Sequence, residues 1–151
     1  MQKISTCLWF EDQAAEAAEF YTSVFDDSSL GPSMAGPDGK VMTADFQIEG
    51  RQFMALNGGP ARNFTEAVSL VVNCDSQEEV DRYWDALLDG GVESQCGWLK
   101  DKFGVSWQII PRGFVDLLNG ADPAGSQRAM EAMLKMRKLD INVLQRAYDG
   151  D

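Results

Sequence analysis

The sequence predicts an α+β protein in which two βαβββ units form a curved mixed sheet, or half-barrel, followed by a helical C-terminal extension. Three observations predict it: strand and helix patterns occur in the same order twice, the two copies align with each other, and the residues after 112 are mostly helical. We expect a single domain over 1–151, with the first unit at 3–60, the second at 67–111 and the extension at 113–151.

The first unit opens with the apolar, strand-forming run Ile4–Phe10, and apolar residues at helical spacing follow it at once. The segment Ser28–Lys40 contains three glycines and two prolines, so we expect a loop with at most a short strand at its start. Val41–Ile48 alternates between apolar and polar residues, and Gln52–Leu56 returns after a glycine turn. These two runs predict a β-hairpin.

The second unit repeats this order. Ala67–Cys74 is an apolar run, and Ser76 followed by Glu79 predicts a capping box at the start of an amphipathic helix. Two further strands are expected at Glu93–Leu99 and Val105–Ile110, on either side of a glycine-containing turn.

The internal repeat supports the fold class. Ile4–Glu11 aligns with Val68–Asp75 in its small polar, apolar and acidic positions, and the run from Gly50 to Met54 parallels the run from Gly104 to Gln108. In the extension, apolar residues at helical spacing predict a helix that includes Gln127–Lys138, a break near Asp140 and a short final helix.

Composition excludes several partners. The chain carries 24 acidic and 13 basic residues, a formal net charge of −11, which disfavours nucleic acid. We expect no targeting segment and no membrane span, because no apolar stretch approaches the roughly 20 residues that a bilayer requires. The three separated cysteines, Cys7, Cys74 and Cys96, suit reduced thiols in a cytoplasmic protein.

Four sequence motifs point to a known family: Cys7–Phe10, Ala17–Tyr21, Leu56–Pro60 and Cys96–Gln108. Together they resemble the PhnB-like branch of the vicinal oxygen chelate superfamily, which includes glyoxalase I, bleomycin-resistance proteins and extradiol dioxygenases. The resemblance spans 3–111 and implies the paired βαβββ fold. The branch is often labelled 3-demethylubiquinone 3-methyltransferase.

The methyltransferase label receives little support from the residues. Enzymes that use S-adenosylmethionine in the usual way place a glycine-rich turn between the first strand and its helix. Here that junction is Phe10–Gln13, which contains no glycine to bring backbone close to a ligand. We therefore do not expect methyl transfer.

The resemblance also identifies where a metal would bind. Metal-using members carry their ligands on the first and last strands of each unit, and these positions correspond here to Ser5, Met54, Ser69 and Gln108. Hydroxyl, thioether and carboxamide groups are weak ligands for divalent metals, and the chain contains no histidine. We expect no metal site of the family type and no cofactor.

The same concave surface is a candidate small-molecule pocket, because it combines apolar walls with a few polar groups. Trp9 and Met54 supply the apolar area, Cys7 is the one thiol that would face it, and the expected polar residues are Ser5, Ser69, Asn73 and Gln108. A strand tryptophan or methionine also suits a core or a subunit interface, so this alternative stays open. Asp45 and Glu49 are interpreted as a solvated strand face.

Three functions are compatible with these observations. The first is a metal-independent protein that binds a small, partly aromatic molecule, in the manner of the bleomycin-resistance proteins. The alternatives are a metal-dependent isomerase, lyase or dioxygenase of the superfamily, and a non-catalytic assembly or regulatory module. No catalytic residue is assigned. The resemblance and the methionine-bearing helix Gln127–Lys138 also imply a homodimer.

Overall fold

The computed structural model describes residues 2–151 and divides the chain into two compact units, with the boundary between Asn63 and Phe64. The elements of the first unit are β1 (Thr6–Phe10), α1 (Ala14–Val24), β2 (Ser28–Ala35), β3 (Val41–Ile48) and β4 (Arg51–Asn57). Those of the second are β5 (Ser69–Cys74), α2 (Gln77–Leu88), β6 (Val92–Glu93), β7 (Trp98–Lys100), β8 (Ser106–Pro111), α3 (Phe114–Leu118), α4 (Pro123–Leu134) and α5 (Ile141–Asp149).

Each unit contains one open, four-stranded mixed sheet, and the two sheets share one topology. The strand orders are β1-β4-β3-β2 and β5-β8-β7-β6. In both, the first strand pairs in parallel with the last and the remaining neighbours pair antiparallel. The expected repeat and the α+β fold class are confirmed.

Helix α1 covers one face of the first sheet. Its buried side chains are Ala14, Ala17, Ala18 and Tyr21. The Tyr21 ring stacks on Phe46 with centroids 5.8 Å apart, and Phe46 stacks on Phe53 at 5.0 Å. Because side chains alternate along a strand, the residues between these core positions point to the opposite, open face of the sheet.

The expectation of a loop over Ser28–Lys40 was wrong for its first part, since Ser28–Ala35 is a full strand at the sheet edge. It pairs antiparallel with β3, with register shifts between Leu30 and Ser33 and between Met34 and Ala35. The first shift contains Gly31 and Pro32. An edge strand tolerates them because its outer backbone groups need no ladder partner.

Helix α2 begins as the sequence predicted. The Ser76 hydroxyl accepts a hydrogen bond from the Glu79 backbone N–H at 3.1 Å. The Glu79 carboxylate accepts from the Asp75 N–H at 3.3 Å, one residue earlier than in a standard capping box. The strand expected over Glu93–Leu99 is interrupted, because Cys96 and Gly97 adopt positive φ angles of 58° and 87°.

The C-terminal helices form a small core around Leu117, Ala129 and Leu144. The segment after α4 is tied to the turn before β7: the Cys96 N–H donates to the Met136 carbonyl at 2.9 Å, and the Gly97 N–H donates to the Arg137 carbonyl at 2.7 Å. The helix expected over Gln127–Lys138 ends earlier, at Leu134, so the break expected near Asp140 covers residues 135–140. The Asp140 carboxylate caps α5. Within residues 2–151, no helix is long and apolar enough to cross a membrane.

Candidate functional site

The open face of the first sheet brings together three of the residues expected to line a pocket. Cys7 and Trp9 alternate with the buried residues Leu8 and Phe10 along β1. The backbone of Cys7 pairs with that of Met54 on β4, so their side chains lie next to each other on the face away from α1. Ser5 precedes β1 and is exposed.

The Trp9 indole is held by the segment that follows β4. Its Nε1–H donates to the Pro60 carbonyl at 3.1 Å. The ring packs so closely on Gly58 that a Cβ added there would overlap it. The Arg62 guanidinium lies 5.3 Å from the ring centroid, in the geometry of a cation–π contact. The indole therefore has one fixed orientation on the open face.

The Asn57 side chain fixes the start of the segment that follows β4. Its side-chain oxygen accepts a hydrogen bond from the Ala14 N–H at 2.8 Å, and its amide donates to the Val41 carbonyl at 3.0 Å. The Gly58 N–H donates to the Phe10 carbonyl at 3.0 Å. The end of β4 is thus connected to the start of α1, to β3 and to β1, and this rigid base supports Trp9.

Two further polar residues, Asp45 and Thr43, lie on this face. Asp45 pairs with Met54, and Thr43 pairs with Leu56. Asp45 is half-buried rather than fully solvated. The alternation of β3 is the sequence signal for both, because it places Asp45 and Thr43 opposite the core residues of that strand. The expectation of a solvated strand face was wrong here, since Thr43 is buried.

The Cys7 thiol is a weak nucleophile in this position. Partial burial raises its pKa above the ordinary value for a thiol. A thiol with a raised pKa stays protonated near neutral pH, and the thiolate is the reactive form. Cys7 therefore offers a polarizable contact surface rather than a reactive group.

On the second sheet, Ser69 and Gln108 are brought together. The Gln108 Nε2–H donates to the Ser69 hydroxyl at 2.9 Å. Asn73 lies further along β5, paired with Ile110, and its side chain is exposed. The structure therefore joins two of the three polar residues expected from this unit and leaves Asn73 apart from them.

Ser106 is a polar residue of this sheet that the sequence did not single out. Its backbone pairs with Ser69 on one side and Lys100 on the other. Its side chain is 2% exposed, and among residues 2–151 its hydroxyl has no hydrogen-bond partner. The Lys100 ammonium lies 2.6 Å from the Glu66 carboxylate. No sequence signal identifies the buried Ser106 hydroxyl, since its burial depends on the pairing of three strands.

The residues present do not fit a divalent metal. Residues 2–151 contain no cluster of three or more histidine, cysteine, aspartate or glutamate side chains able to hold a metal ion. At the positions implied by the fold stand an exposed serine, a thioether and the Ser69–Gln108 pair, in which the Gln108 amide already donates to the hydroxyl.

Comparison with known proteins identifies the family. The family model for 3-demethylubiquinone-9 3-methyltransferase matches residues 2–110. The PhnB protein of Bacillus cereus is 37% identical, and its alignment covers 73% of this chain and 99% of that chain, with a TM-score of 0.67. No curated protein sequence matches the chain.

More distant solved structures share the fold alone. The fosfomycin resistance protein FosX of Listeria monocytogenes, complexed with Mn(II) and sulfate, is 17% identical; the alignment covers 72% of this chain and 89% of that chain, with a TM-score of 0.56. A glyoxalase/bleomycin resistance protein/dioxygenase domain from Frankia is 15% identical; the alignment covers 74% and 92% of the two chains, with a TM-score of 0.52.

The family name describes a methyltransferase, yet the β1–α1 junction at residues 11–13 contains no glycine of the kind that a nucleotide-type cofactor requires. The name is therefore taken as a label for the family rather than for an activity. With the fold, the repeat and the match over residues 2–110 in agreement, the chain belongs to the PhnB-like 3-demethylubiquinone-9 3-methyltransferase family, within the glyoxalase/bleomycin resistance fold.

Proposed function

We propose that this protein binds a small, partly aromatic molecule without a metal, on the open face of the first sheet. The observation that carries the proposal is the fixed Trp9 indole beside Cys7 and Met54. An oriented aromatic ring with a thiol and a thioether next to it forms a flat, polarizable surface. Such a surface suits stacking with a planar ligand.

The position of Arg62 supports a ligand on the ring of Trp9. A planar guanidinium already lies over that ring, and the Arg62 side chain is exposed. Exposed cation–π contacts are weak, so a planar ligand can replace Arg62 at small cost. Polar anchoring would come from Asp45 and Thr43, which occupy the same face.

Tryptophan fluorescence tests this function. The protein is titrated with a set of neutral one-ring and two-ring aromatic compounds, with and without EDTA. We expect at least one compound to give saturable quenching that chelator leaves unchanged. Because a stacked aromatic pair contributes about 0.5–1.5 kcal/mol, Trp9→Ala should weaken binding roughly three- to tenfold.

The matched control is Trp98→Phe, since Trp98 is also partly exposed but lies in the second unit. This variant should bind the same compounds with unchanged affinity. Absence of saturable quenching across the whole set would contradict the proposal. Quenching that disappears with EDTA and returns with zinc or manganese would instead favour the metal-dependent alternative.

We also propose that the protein is a cytoplasmic homodimer. Its three cysteines are free thiols, which suits a reducing compartment. On α4, Met130 and Leu134 are 39% and 60% exposed, and a second copy would bury them. Light scattering coupled to gel filtration measures the mass, and a monomer at micromolar concentration would contradict the dimer.

A further inference from the structure

The Ser106 hydroxyl is a buried donor that nothing in the described structure satisfies. Its residue is 2% exposed, and its oxygen has no partner among residues 2–151. A buried hydroxyl that lost its bonds to water needs a replacement partner, because leaving it unpaired destabilises the folded state. A group in this state points to a ligand atom that completes it.

Neighbouring strands place more donors around this hydroxyl. Residues paired across strands project to the same face, so Ser69 and Lys100 flank Ser106 on either side. The Ser69 hydroxyl accepts from Gln108 at 2.9 Å, which leaves its own hydrogen free to donate elsewhere. Two hydroxyl side chains and one lysine side chain therefore stand at neighbouring positions on one face of the sheet.

The present partner of Lys100 is easily replaced. Its ammonium lies 2.6 Å from the Glu66 carboxylate, and the two side chains are 41% and 63% exposed. Ion pairs between exposed side chains contribute little to stability, because water and salt compete with them. The ion pair with Glu66 shows that the Lys100 ammonium binds a carboxylate at this place. A ligand carboxylate can replace that of Glu66.

A ligand at this place would compete with one hydrogen bond of the free protein. The Gln108 side chain lies on the same face two residues further along β8, where one hydrogen bond joins it to Ser69. Rotation of this half-buried carboxamide would free the Ser69 hydroxyl for a ligand oxygen. A ligand oxygen that accepts from both serines compensates for the hydrogen bond that Gln108 gives up.

We propose that Ser69, Lys100 and Ser106 form a subsite that binds the carboxylate of a small organic acid. Lys100 provides one positive charge and the two serines provide neutral donors, which matches a monoanion. A phosphate dianion suits it less, because a single lysine must then hold two negative charges in a chain of net charge −11. The subsite is confined to the second unit and does not rest on the function proposed for the first.

The test is an NMR titration of the ¹⁵N-labelled protein with benzoate and, separately, with inorganic phosphate, at constant ionic strength. We expect saturable shifts at the amides of Ser69, Lys100 and Ser106 with benzoate, and weaker effects with phosphate. Shifts that stay linear into the tens of millimolar would overturn the proposal. Tighter binding of phosphate than of benzoate would overturn the carboxylate assignment.

Variants separate a binding role from a structural one. Ser106→Ala should weaken benzoate binding by about tenfold or more, because hydrogen bonds to charged groups are the stronger class. In the free protein, the same variant should melt at an equal or higher temperature, since it removes an unpaired buried group. A lower melting temperature with unchanged benzoate affinity would mean that the hydroxyl is structural, and would overturn the proposal.

Charge variants complete the design. Glu66→Gln should tighten benzoate binding, because it removes the carboxylate that competes for Lys100. Lys100→Gln should abolish saturation, whereas Lys102→Gln, the loss of a nearby exposed lysine, should leave it intact. Trp9→Ala should leave the benzoate-induced shifts at Ser69, Lys100 and Ser106 unchanged, so failure of this subsite and failure of the aromatic site give different results.

Discussion

The Trp107 indole donates a hydrogen bond to the Asp101 carboxylate at 2.9 Å, and both side chains are buried, at 3% exposure each. The other carboxylate oxygen accepts from the backbone N–H groups of Phe103 and Val105, at 2.9 and 3.1 Å. Asp101 therefore holds the turn between β7 and β8 and fixes the tryptophan that follows it. Both residues belong to the motif Cys96–Gln108.

Removal of this carboxylate should destabilise the second unit. Asp101→Ala leaves an indole N–H and two backbone N–H groups without their acceptor, so we expect a loss of about 2–4 kcal/mol in the free energy of unfolding. Asp101→Asn keeps one acceptor oxygen for the backbone and should cost less. Urea unfolding followed by tryptophan fluorescence measures both variants, and equal stability of Asp101→Ala and wild type would contradict this role.

A methyl group at Gly58 should displace Trp9. The Cβ of Gly58→Ala would overlap the indole, which must then rotate and lose its hydrogen bond to Pro60. We expect about 1–3 kcal/mol of destabilisation and a red-shifted emission from Trp9, because overpacking forces side chains out of their preferred positions.

The control for this change is Gly36→Ala. A Cβ at Gly36 would meet its nearest neighbour, the Asp38 carboxylate, at an ordinary contact distance of 3.5 Å. Its stability should therefore stay within about 0.5 kcal/mol of wild type. If both variants behaved alike, the close packing of Gly58 on Trp9 would not be what holds the indole.

The Cys74 thiol should resist alkylation in the folded protein. Burial, followed by the negative charges of Glu79 and Asp75, raises its pKa to about 12. Iodoacetamide at pH 8 should therefore modify the exposed Cys7 first and reach Cys74 only when the protein unfolds. Peptide mapping by mass spectrometry after timed labelling distinguishes the sites, and early modification of Cys74 would contradict the raised pKa.

The same pKa has a consequence at high pH. Because the pKa of Cys74 rises on folding from an ordinary 9.0 to about 12, its contribution to stability is complete below pH 9 and is lost as pH approaches 12. Cys74→Ala should therefore lose less stability than wild type across this interval. Urea unfolding at several pH values compares the two, and parallel curves would rule out a thiol contribution.

Gln77 should anchor the final helix. Its amide donates to the Leu139 carbonyl at 3.0 Å, and its oxygen accepts from the Ile141 N–H at 2.9 Å. We expect Gln77→Ala to speed hydrogen exchange across α5 and to lower stability by about 1–2 kcal/mol. Gln127→Ala removes an exposed glutamine whose amide donates to the Glu131 carboxylate at 3.3 Å within α4, and should have little effect on exchange in α5.

Sequence patterns predicted those strands and helices that are determined by residues close together in the chain. Val41–Ile48 matches β3 because its alternation follows one buried face, and Ser76 begins α2 because its hydroxyl caps a nearby N–H. Strand β2 is longer than the short strand expected at the start of this segment, since its structure depends on pairing with β3 rather than on its own glycine- and proline-containing residues. Pairing between distant segments leaves no local signal.

In the candidate site, too, the features set by local sequence patterns were predictable and those set by distant contacts were not. Strand alternation placed Cys7, Trp9 and Met54 on one face, and the register of β1 and β4 agrees with that placement. The support of Trp9 by Gly58 and Arg62 depends on how the chain turns after β4. The unpaired hydroxyl of Ser106 arises only when three strands are assembled, so no pattern of residue types reveals it.

Strand β2 also affects how the protein behaves at high concentration. Its outer backbone faces no neighbouring strand of its sheet, and it carries the exposed side chains of Leu30 and Met34. Such an edge can template uncontrolled pairing with other chains. Pro32 lacks an N–H and lies within a register shift, so the edge is broken near its middle. We therefore expect the glycine- and proline-containing irregularity of β2 to oppose fibrous aggregation.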